Sequence, residues 1–447
     1  MPDATTTDLY EATMALSYLE EGLTAPATFS LFVRDLPPER GFLVAAGLES
    51  ALDYLADFRV GRADTEAYAA ALYRSPEDLR PLVGLGFTGE VRAVPEGRTV
   101  LADEPLLEVT APLPEAQMVE TCLLNMVSHQ TLVASKAARC VLAAEGKPVV
   151  DFSLRRTQGI EAGMQAARLG ALVGFAGTSN VSAALAHGLR ARGTMAHSYI
   201  EAFPDEESAF RAFARAHPGP MTFLVDTYDT REGVATAIRV MKDLGLGPDS
   251  AVRLDSGDLG ELARLARRML DGAGLPEVLI VASGGLDEYQ VADLVRAAAP
   301  IDVYAVGTRV GVSADAPYLD SAYKLTAYDG RPVMKLSSAK VTAPGAKQVF
   351  RTADHTDVIA LRDEEPPDGG HPLLETVMAG GRRTHDVDPL ARARERFGHD
   401  AASLPEAARR IRHPEPPRPG ISEALWDLTE DVHHRIEREN LRQNLPA

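Results

Sequence analysis

Seven short clusters of polar residues and glycines punctuate the middle of this chain, each directly after a short apolar run: Phe152-Ser153-Leu154-Arg155-Arg156, Gly177-Thr178-Ser179-Asn180, His197-Ser198, Asp226-Thr227, Asp255-Ser256-Gly257-Asp258, Ser283-Gly284-Gly285 and Gly307-Thr308. Arg253 and Asp255 stand two apart, so on a strand a cation and a carboxylate face the same side. Such a pair serves either as an internal salt bridge or as working chemistry. In the second case the carboxylate holds ribose hydroxyls or Mg²⁺, and the guanidinium grips a substrate carboxylate in a fork. Ser283-Gly284-Gly285 and Gly307-Thr308 suit an anion, because glycine lets backbone N–H groups approach closely and the next helix N-terminus adds positive potential. A lone histidine is usually structural, but His197 ends a strand-like run and is flanked by Thr194 and Ser198, which raises the weight of a catalytic role. Any single cluster could be an ordinary helix N-cap. Seven in register, two of them near arginines, point instead to one shared mouth for a phosphorylated sugar.

The elements that must position these residues follow from the apolar pattern. Strand-like runs at Pro148–Phe152, Ala171–Phe175, Gly193–Ala196, Met221–Asp226, Ala251–Asp255, Val278–Ala282 and Ile301–Val306 alternate with helical periodicity at Ile160–Arg168, Asn180–His187, Glu206–Ala216, Arg231–Asp243, Asp258–Asp271 and Leu286–Ala298. The runs are continuously apolar, as parallel strands buried on both faces require. Repeated βα units leave two architectures open, a doubly wound sheet or a barrel one strand short of eight. In both, the active site lies at the strands' C-terminal ends. Before this region, helices at Leu9–Glu21, Leu48–Phe58 and Asp64–Leu72 mix with strand runs, and a long helix from Glu115 to about Glu145 follows Pro112 and Pro114. After Val312, strand runs return at Ala322–Tyr328, Pro332–Leu336, Gln348–Thr352 and Val358–Leu361, and a helical tail covers Ile421–Glu439. The division expected is 1–145, 146–320 and 321–447.

The formal net charge of −18 opposes nucleic-acid binding, so an anionic substrate needs a pocket of locally positive potential, and clustered arginines carry information. Two cysteines exclude a disulfide framework and suit a reducing compartment. The first residues show no secretory pattern and no run is long enough to span a membrane, so the expected location is the cytoplasm, with no membrane or nucleic-acid partner. There is no G-x-x-x-x-G-K-[ST] loop, no H-E-x-x-H and no paired C-x-x-C, which argues against a P-loop site and a tightly held transition metal.

Taken together, the segments Thr7-Asp8-Leu9-Tyr10 with Thr13-Met14, Asp151-Phe152 through Arg156, Gly177 to Val181, Gly193 to Ser198, Arg253 to Leu259, Ala282-Ser283, Val306 to Thr308, Tyr323-Lys324-Leu325, Met334 to Ser337 and Lys347-Gln348-Val349 resemble the nicotinate phosphoribosyltransferase family. The resemblance implies a type II phosphoribosyltransferase fold: an irregular seven-stranded βα barrel packed on a mixed α/β domain built from N- and C-terminal segments. It implies transfer of phosphoribose from phosphoribosyl pyrophosphate to nicotinate, giving nicotinate mononucleotide and pyrophosphate for NAD biosynthesis, coupled to ATP hydrolysis through a phosphohistidine. On this resemblance His197 is the phosphorylated histidine and Asp255 a second catalytic residue. Tyr10, from a neighbouring subunit of a homodimer with shared sites, and Phe152 sandwich the pyridine ring, with Ser179, Thr194 and Arg253 as further nicotinate contacts. Arg155, Ser283, Gly284, Gly285, Gly307 and Thr308 fall on the phosphoribosyl pyrophosphate side. Mg²⁺ arrives mainly with that substrate, with Asp255 as a nearby carboxylate.

The nicotinamide-using relative is the nearest alternative. It carries an aspartate where this chain has Ser179, and a carboxylate there would repel nicotinate's own. A quinolinate-using enzyme fits less well, since this chain is longer and holds the histidine motif. A sugar-phosphate lyase or isomerase would want a Schiff-base lysine at a strand end, yet between Gly146 and Ala305 only Lys147 and Lys242 occur, neither at such an end.

Overall fold

Parallel strands build the middle of the chain: β1 (Val149–Asp151), β2 (Gly177–Thr178), β3 (Thr222–Leu224), β4 (Ala251–Leu254), β5 (Leu279–Ala282) and β6 (Val303–Val306). They form one six-stranded sheet in the order β2-β1-β6-β5-β4-β3, parallel throughout. That order is the chain order run cyclically, as in a βα barrel opened between β2 and β3, and the sheet curls as a half-barrel. The computed structural model describes residues 2–336 and 342–443, so Ser337 of the motif segments lies outside the described residues. The strands belong to a compact unit spanning Val133–Pro317, and a second unit comprises Met1–Leu132 with Tyr318–Ala447.

Two of the seven expected strands are not strands. Ala171–Phe175 is the buried end of a helix, Ile160–Val173, closed by Gly174 at φ 111°. Its apolar run is a helix face rather than a pleat, an ambiguity that short apolar runs always carry. Phe175 turns back to pack against Gly170, where a Cβ would meet the ring at 2.7 Å, and pairing resumes at Gly177. Gly193–Ala196 makes no ladder among the described residues. The pairing nearest to it is a single parallel bridge from Ala191 to Thr178, and of the four residues only Met195 is buried.

The crossover helices show why the sheet is covered. In Thr230–Leu244 the residues Val234, Ala237 and Met241 recur at helical spacing and are fully buried, as are Ala263, Ala266 and Leu270 in Leu259–Gly272. Val252, Leu254, Phe223 and Ile280 on the strands are fully buried too, each worth about 1.5–3 kcal/mol relative to exposure.

In the second unit, Pro26–Val33 pairs antiparallel with Ser321–Tyr328 on one side and Pro105–Pro112 on the other, the centre of a seven-stranded sheet drawn from both ends of the chain. The expected long helix is two, Leu113–Met118 and Glu120–Ala143, the first tolerating Pro114 in its opening turn. The tail helix runs Glu423–Gln443.

Glu11, within helix Leu9–Glu20, is fully buried, and that burial pushes its carboxyl up to about 7 despite hydrogen bonds donated by Thr121 and Thr7. The folded chain therefore favours the protonated acid, a contribution present below the unfolded value and lost as pH rises through 7. Glu11→Gln, permanently neutral, should melt several degrees above wild type at pH 8, the shift being worth on the order of 3 kcal/mol. The advantage should vanish near pH 4.5. Thermal melts of both proteins across this range check it, and a difference that ignores pH rejects the assignment.

Candidate active site

The C-terminal ends of β1, β4 and β5 meet at Arg253. This guanidinium is almost buried, in a chain whose net charge is strongly negative, and its donors radiate to four partners. Nε donates to Ser283 Oγ at 2.8 Å, Nη1 to Thr194 Oγ1 at 3.0 Å and to the Met195 carbonyl at 3.4 Å, and Nη2 to Asp255 Oδ1 at 2.6 Å. The aromatic face of Phe152 lies 5.4 Å from its Cζ, within cation–π range. Arg253 thus gathers residues from the ends of β1, β4 and β5 and from the Thr194-Met195 segment, and the salt bridge expected as one alternative is itself part of the gathering.

Asp255 faces opposing influences. Burial raises its carboxyl, but the Ser283 hydroxyl, Arg253 and His197 together outweigh that and hold it below the ordinary carboxylate value. It is ionised at neutral pH. Behind it, Asp226 Oδ2 accepts from the Asp255 N–H at 3.0 Å and from Ser256 Oγ at 2.6 Å, while Asp226 Oδ1 is buried with no hydrogen-bond partner among the described residues. Glu206 faces the same patch; burial, then Asp229 and Asp226, push its carboxyl up to about 7.

His197 opens a short helix, half-exposed, with Nε2 3.8 Å from Asp255 Oδ2 and Nδ1 3.2 Å from Thr227 Oγ1. One ring nitrogen therefore faces a carboxylate and the other a hydroxyl that can fix the tautomer.

On β1, Asp151 organises the neighbouring strand end. Its carboxylate accepts from the Ser153 N–H at 2.9 Å and the Thr178 hydroxyl at 2.7 Å, and its carbonyl accepts from the Ser179 N–H at 2.8 Å. Ser179 is exposed, as are Arg155, Gly284 and Gly285, while Gly307 and Thr308 are half-exposed. Gly284 sits at φ 97° with its Cα so close to Asp255 that a Cβ would come within 1.8 Å of the carbonyl oxygen. No other residue fits there.

The N-cap reading holds for two residues of the clusters, Asn180 and Asp258, and for two outside them, Asp229 and Asp287. All four accept from helix N–H groups, whereas the Asp255, Thr227 and His197 side chains engage Arg253, the imidazole and one another. Asp226, Thr227, Asp151 and Met195 are absent from the residues expected to work, although Asp226-Thr227 already stands in the strand-end series. Lys147 donates to the Ile301 carbonyl at 2.6 Å, at the opposite end of the strands, which removes it as a Schiff-base candidate. Tyr10 belongs to the other unit. It is about half-exposed, and burial followed by Glu120 and Glu11 raises its hydroxyl above the ordinary tyrosine value.

A parallel βα sheet whose strand ends gather a buried guanidinium, a carboxylate and glycine loops is the architecture of a phosphoribosyltransferase. Residues 5–128 match the nicotinate phosphoribosyltransferase (NAPRTase) N-terminal domain, and residues 148–355 match the nicotinate phosphoribosyltransferase (NAPRTase) family. A nicotinate phosphoribosyltransferase of Mycobacterium tuberculosis is 47% identical over 411 residues, covering 91% of this chain and 88% of the relative. One from Bacillus subtilis is 37% identical, covering 97% and 96%. The crystal structure of human nicotinic acid phosphoribosyltransferase superposes with a TM-score of 0.84 at 31% identity, covering 95% of this chain and 99% of that one. The chain belongs to the nicotinate phosphoribosyltransferase family of NAD biosynthesis.

Proposed function

We propose that this chain joins nicotinate to phosphoribosyl pyrophosphate, releasing nicotinate mononucleotide and pyrophosphate, with ATP hydrolysed through phosphorylation of His197. The observation that carries the reading is the Arg253 hub, which sets a recognition cation and an ionised Asp255 side by side at the strand ends. In the reaction the nicotinate ring nitrogen forms a bond to C1 of the sugar as the C1–O bond to pyrophosphate breaks. The sugar passes through positive charge at C1, so an ionised carboxylate near the ribose and positive potential at the departing phosphates stabilise it. Asp255 supplies the first. Arg155 and the backbone N–H groups of Ser283, Gly284, Gly285, Gly307 and Thr308 supply the second. Phe152 and Tyr10 stack the pyridine ring, with Arg253, Thr194 and Ser179 around its carboxylate, so that the nitrogen is aimed at C1.

Mg²⁺ suits the oxygen donors present, because the buried Asp226 Oδ1 has no hydrogen-bond partner among the described residues and Asp255 lies beside it. Those two carboxylates would hold the ion, which neutralises phosphate charge when bound. The cytoplasmic setting and a homodimer belong to the same reading. Assays with nicotinate, nicotinamide and quinolinate, each with phosphoribosyl pyrophosphate and Mg²⁺, with and without ATP, test it through the products. Nicotinate mononucleotide is expected as the main product, stimulated by ATP; nicotinamide mononucleotide in excess of it would refute the reading.

Tyr10 completes a neighbour's site on this proposal. Tyr10→Ala and Arg253→Ala subunits, each inactive alone, should regain part of the activity when mixed, since a hybrid dimer holds one intact site. Demonstrated subunit exchange without recovered activity rules out sharing.

A further inference from the structure

A cluster of charges follows directly on the two glycine loops. Lys136 is 1% exposed, with Nζ 2.6 Å from Glu288 Oε2 and 2.7 Å from Asp315 Oδ1. Arg139 Nε lies 2.9 Å from Glu288 Oε1, and Glu288 is fully buried. Both cations stand near the Tyr289 ring, at 5.4 and 5.6 Å from its centroid. Arg309 Nη1 donates to Asp287 Oδ2 at 3.1 Å. Lys136, Arg139 and Arg309 balance Asp287, Glu288 and Asp315.

These six side chains come from three places. Lys136 and Arg139 lie on helix Glu120–Ala143. Asp287 caps helix Glu288–Arg296, which starts right after Ser283-Gly284-Gly285. Arg309 and Asp315 follow Gly307, in and just after the short helix Thr308–Gly311. Ser283 and Gly284 are fixed from the strand side by Leu254 and Asp255, so what remains to be set is the position of the element that follows each loop. Lys136 contacts the element after the first loop through Glu288 and the segment after the second through Asp315. The Asp287–Arg309 pair ties the same two elements directly. Arg309 is about half-exposed, but Lys136, Arg139, Asp287 and Glu288 are buried; burying such charges is costly, and apolar residues of equal volume often serve stability as well or better. What the charges add is a directional, fixed spacing between two loops.

We propose that Lys136 and the Asp287–Arg309 pair are positioning residues that set the distance between the two phosphate loops, and so set affinity for the pyrophosphate-bearing sugar. This rests on the phosphoribosyltransferase reading above.

Arg309→Gln and Asp287→Asn each break the tie while leaving a neutral residue, and asparagine can still cap the helix. Both should raise the KM for phosphoribosyl pyrophosphate and the Kd for Mg²⁺-pyrophosphate by calorimetry, leaving the KM for nicotinate within about twofold; misplaced loops of this kind lose roughly tenfold to hundredfold. Arg309→Lys should restore most of the affinity. The charge-balanced double variant Lys136→Met/Glu288→Gln should show the same split, and should it not fold, the first two variants decide. Equal rises in both KM values, or a lower Tm with unchanged KM values, would overturn the proposal. So would tighter pyrophosphate binding by Asp287→Asn, since that would mean Arg309 touches phosphate itself. Wild-type protein that neither binds pyrophosphate nor forms the mononucleotide sinks the functional reading instead, and the two failures are thereby distinguished.

Discussion

Arg253→Lys is expected to lower kcat/KM for nicotinate by roughly tenfold to hundredfold, although charge is conserved. The guanidinium holds Ser283, Thr194, Met195 and Asp255 with separate donors in fixed directions. An ammonium offers a point charge and cannot reproduce that fork. Each charge-assisted hydrogen bond is worth about 1.5–3 kcal/mol, which sets the scale of the loss. Because Arg253 also orients Asp255 and Ser283, part of the loss will fall on any base the enzyme uses. Nicotinamide separates the two parts, as it shares the ring and lacks the carboxylate. If Arg253 reads the carboxylate, kcat/KM for nicotinate must fall further than for nicotinamide. Ser179→Asp approaches the same question from the other side. Ser179 is exposed, so a new carboxylate there is screened, and its repulsion of nicotinate amounts to about 1 kcal/mol, roughly fivefold. It should shift the ratio of the two bases toward nicotinamide. Both ratios unchanged at fixed ionic strength would remove Arg253 and Ser179 from carboxylate recognition.

Much of this site was legible because chemistry and periodicity coincide at a strand's end. Arg253 and Asp255 are two apart in sequence and pair on one side of β4, as the alternation of a strand requires. Helix Glu206–Ala216 falls at its expected bounds because its apolar residues lie on one face and Asp205 caps it. Ala171–Phe175 misled for a physical reason: alanine, leucine, valine and phenylalanine in close succession satisfy a buried strand and a buried helix end equally. Only the left-handed Gly174 distinguishes them, and a glycine's φ is not written in its neighbours. The role of Asp226 was hidden differently. Its carboxylate acts on the Asp255 backbone and the Ser256 hydroxyl, partners 29 and 30 positions away that only the β3–β4 pairing brings near. The Lys136 cluster is the extreme case. Lysine on an amphipathic helix reads as a solvated face, and nothing local reports that Glu288 and Asp315 enclose it.

His197→Ala should abolish the stimulation by ATP while leaving slow, ATP-independent transfer. The imidazole's partners are Thr227 and Asp255 rather than Arg253 or the glycine loops, so the groups proposed to bind the ring and the phosphates survive its removal. On the proposed function, what is lost is a nucleophile: a ring nitrogen would attack the γ-phosphorus of ATP, the bond to the bridging oxygen would break, and ADP would leave with that electron pair. Thr227 at Nδ1 and Asp255 on the Nε2 side hold the ring in one orientation. The Asp255 carboxylate stays ionised beside the ring. The variant's rate with ATP should therefore equal its rate without, and acid-labile phosphate should no longer be incorporated from γ-labelled ATP. Thr227→Val is the companion test. Removing only the hydroxyl that orients the ring should slow labelling and leave the ATP-independent rate near wild type. If His197→Ala still couples ATP hydrolysis to product, the phosphoryl group is carried elsewhere and the assignment of His197 is wrong.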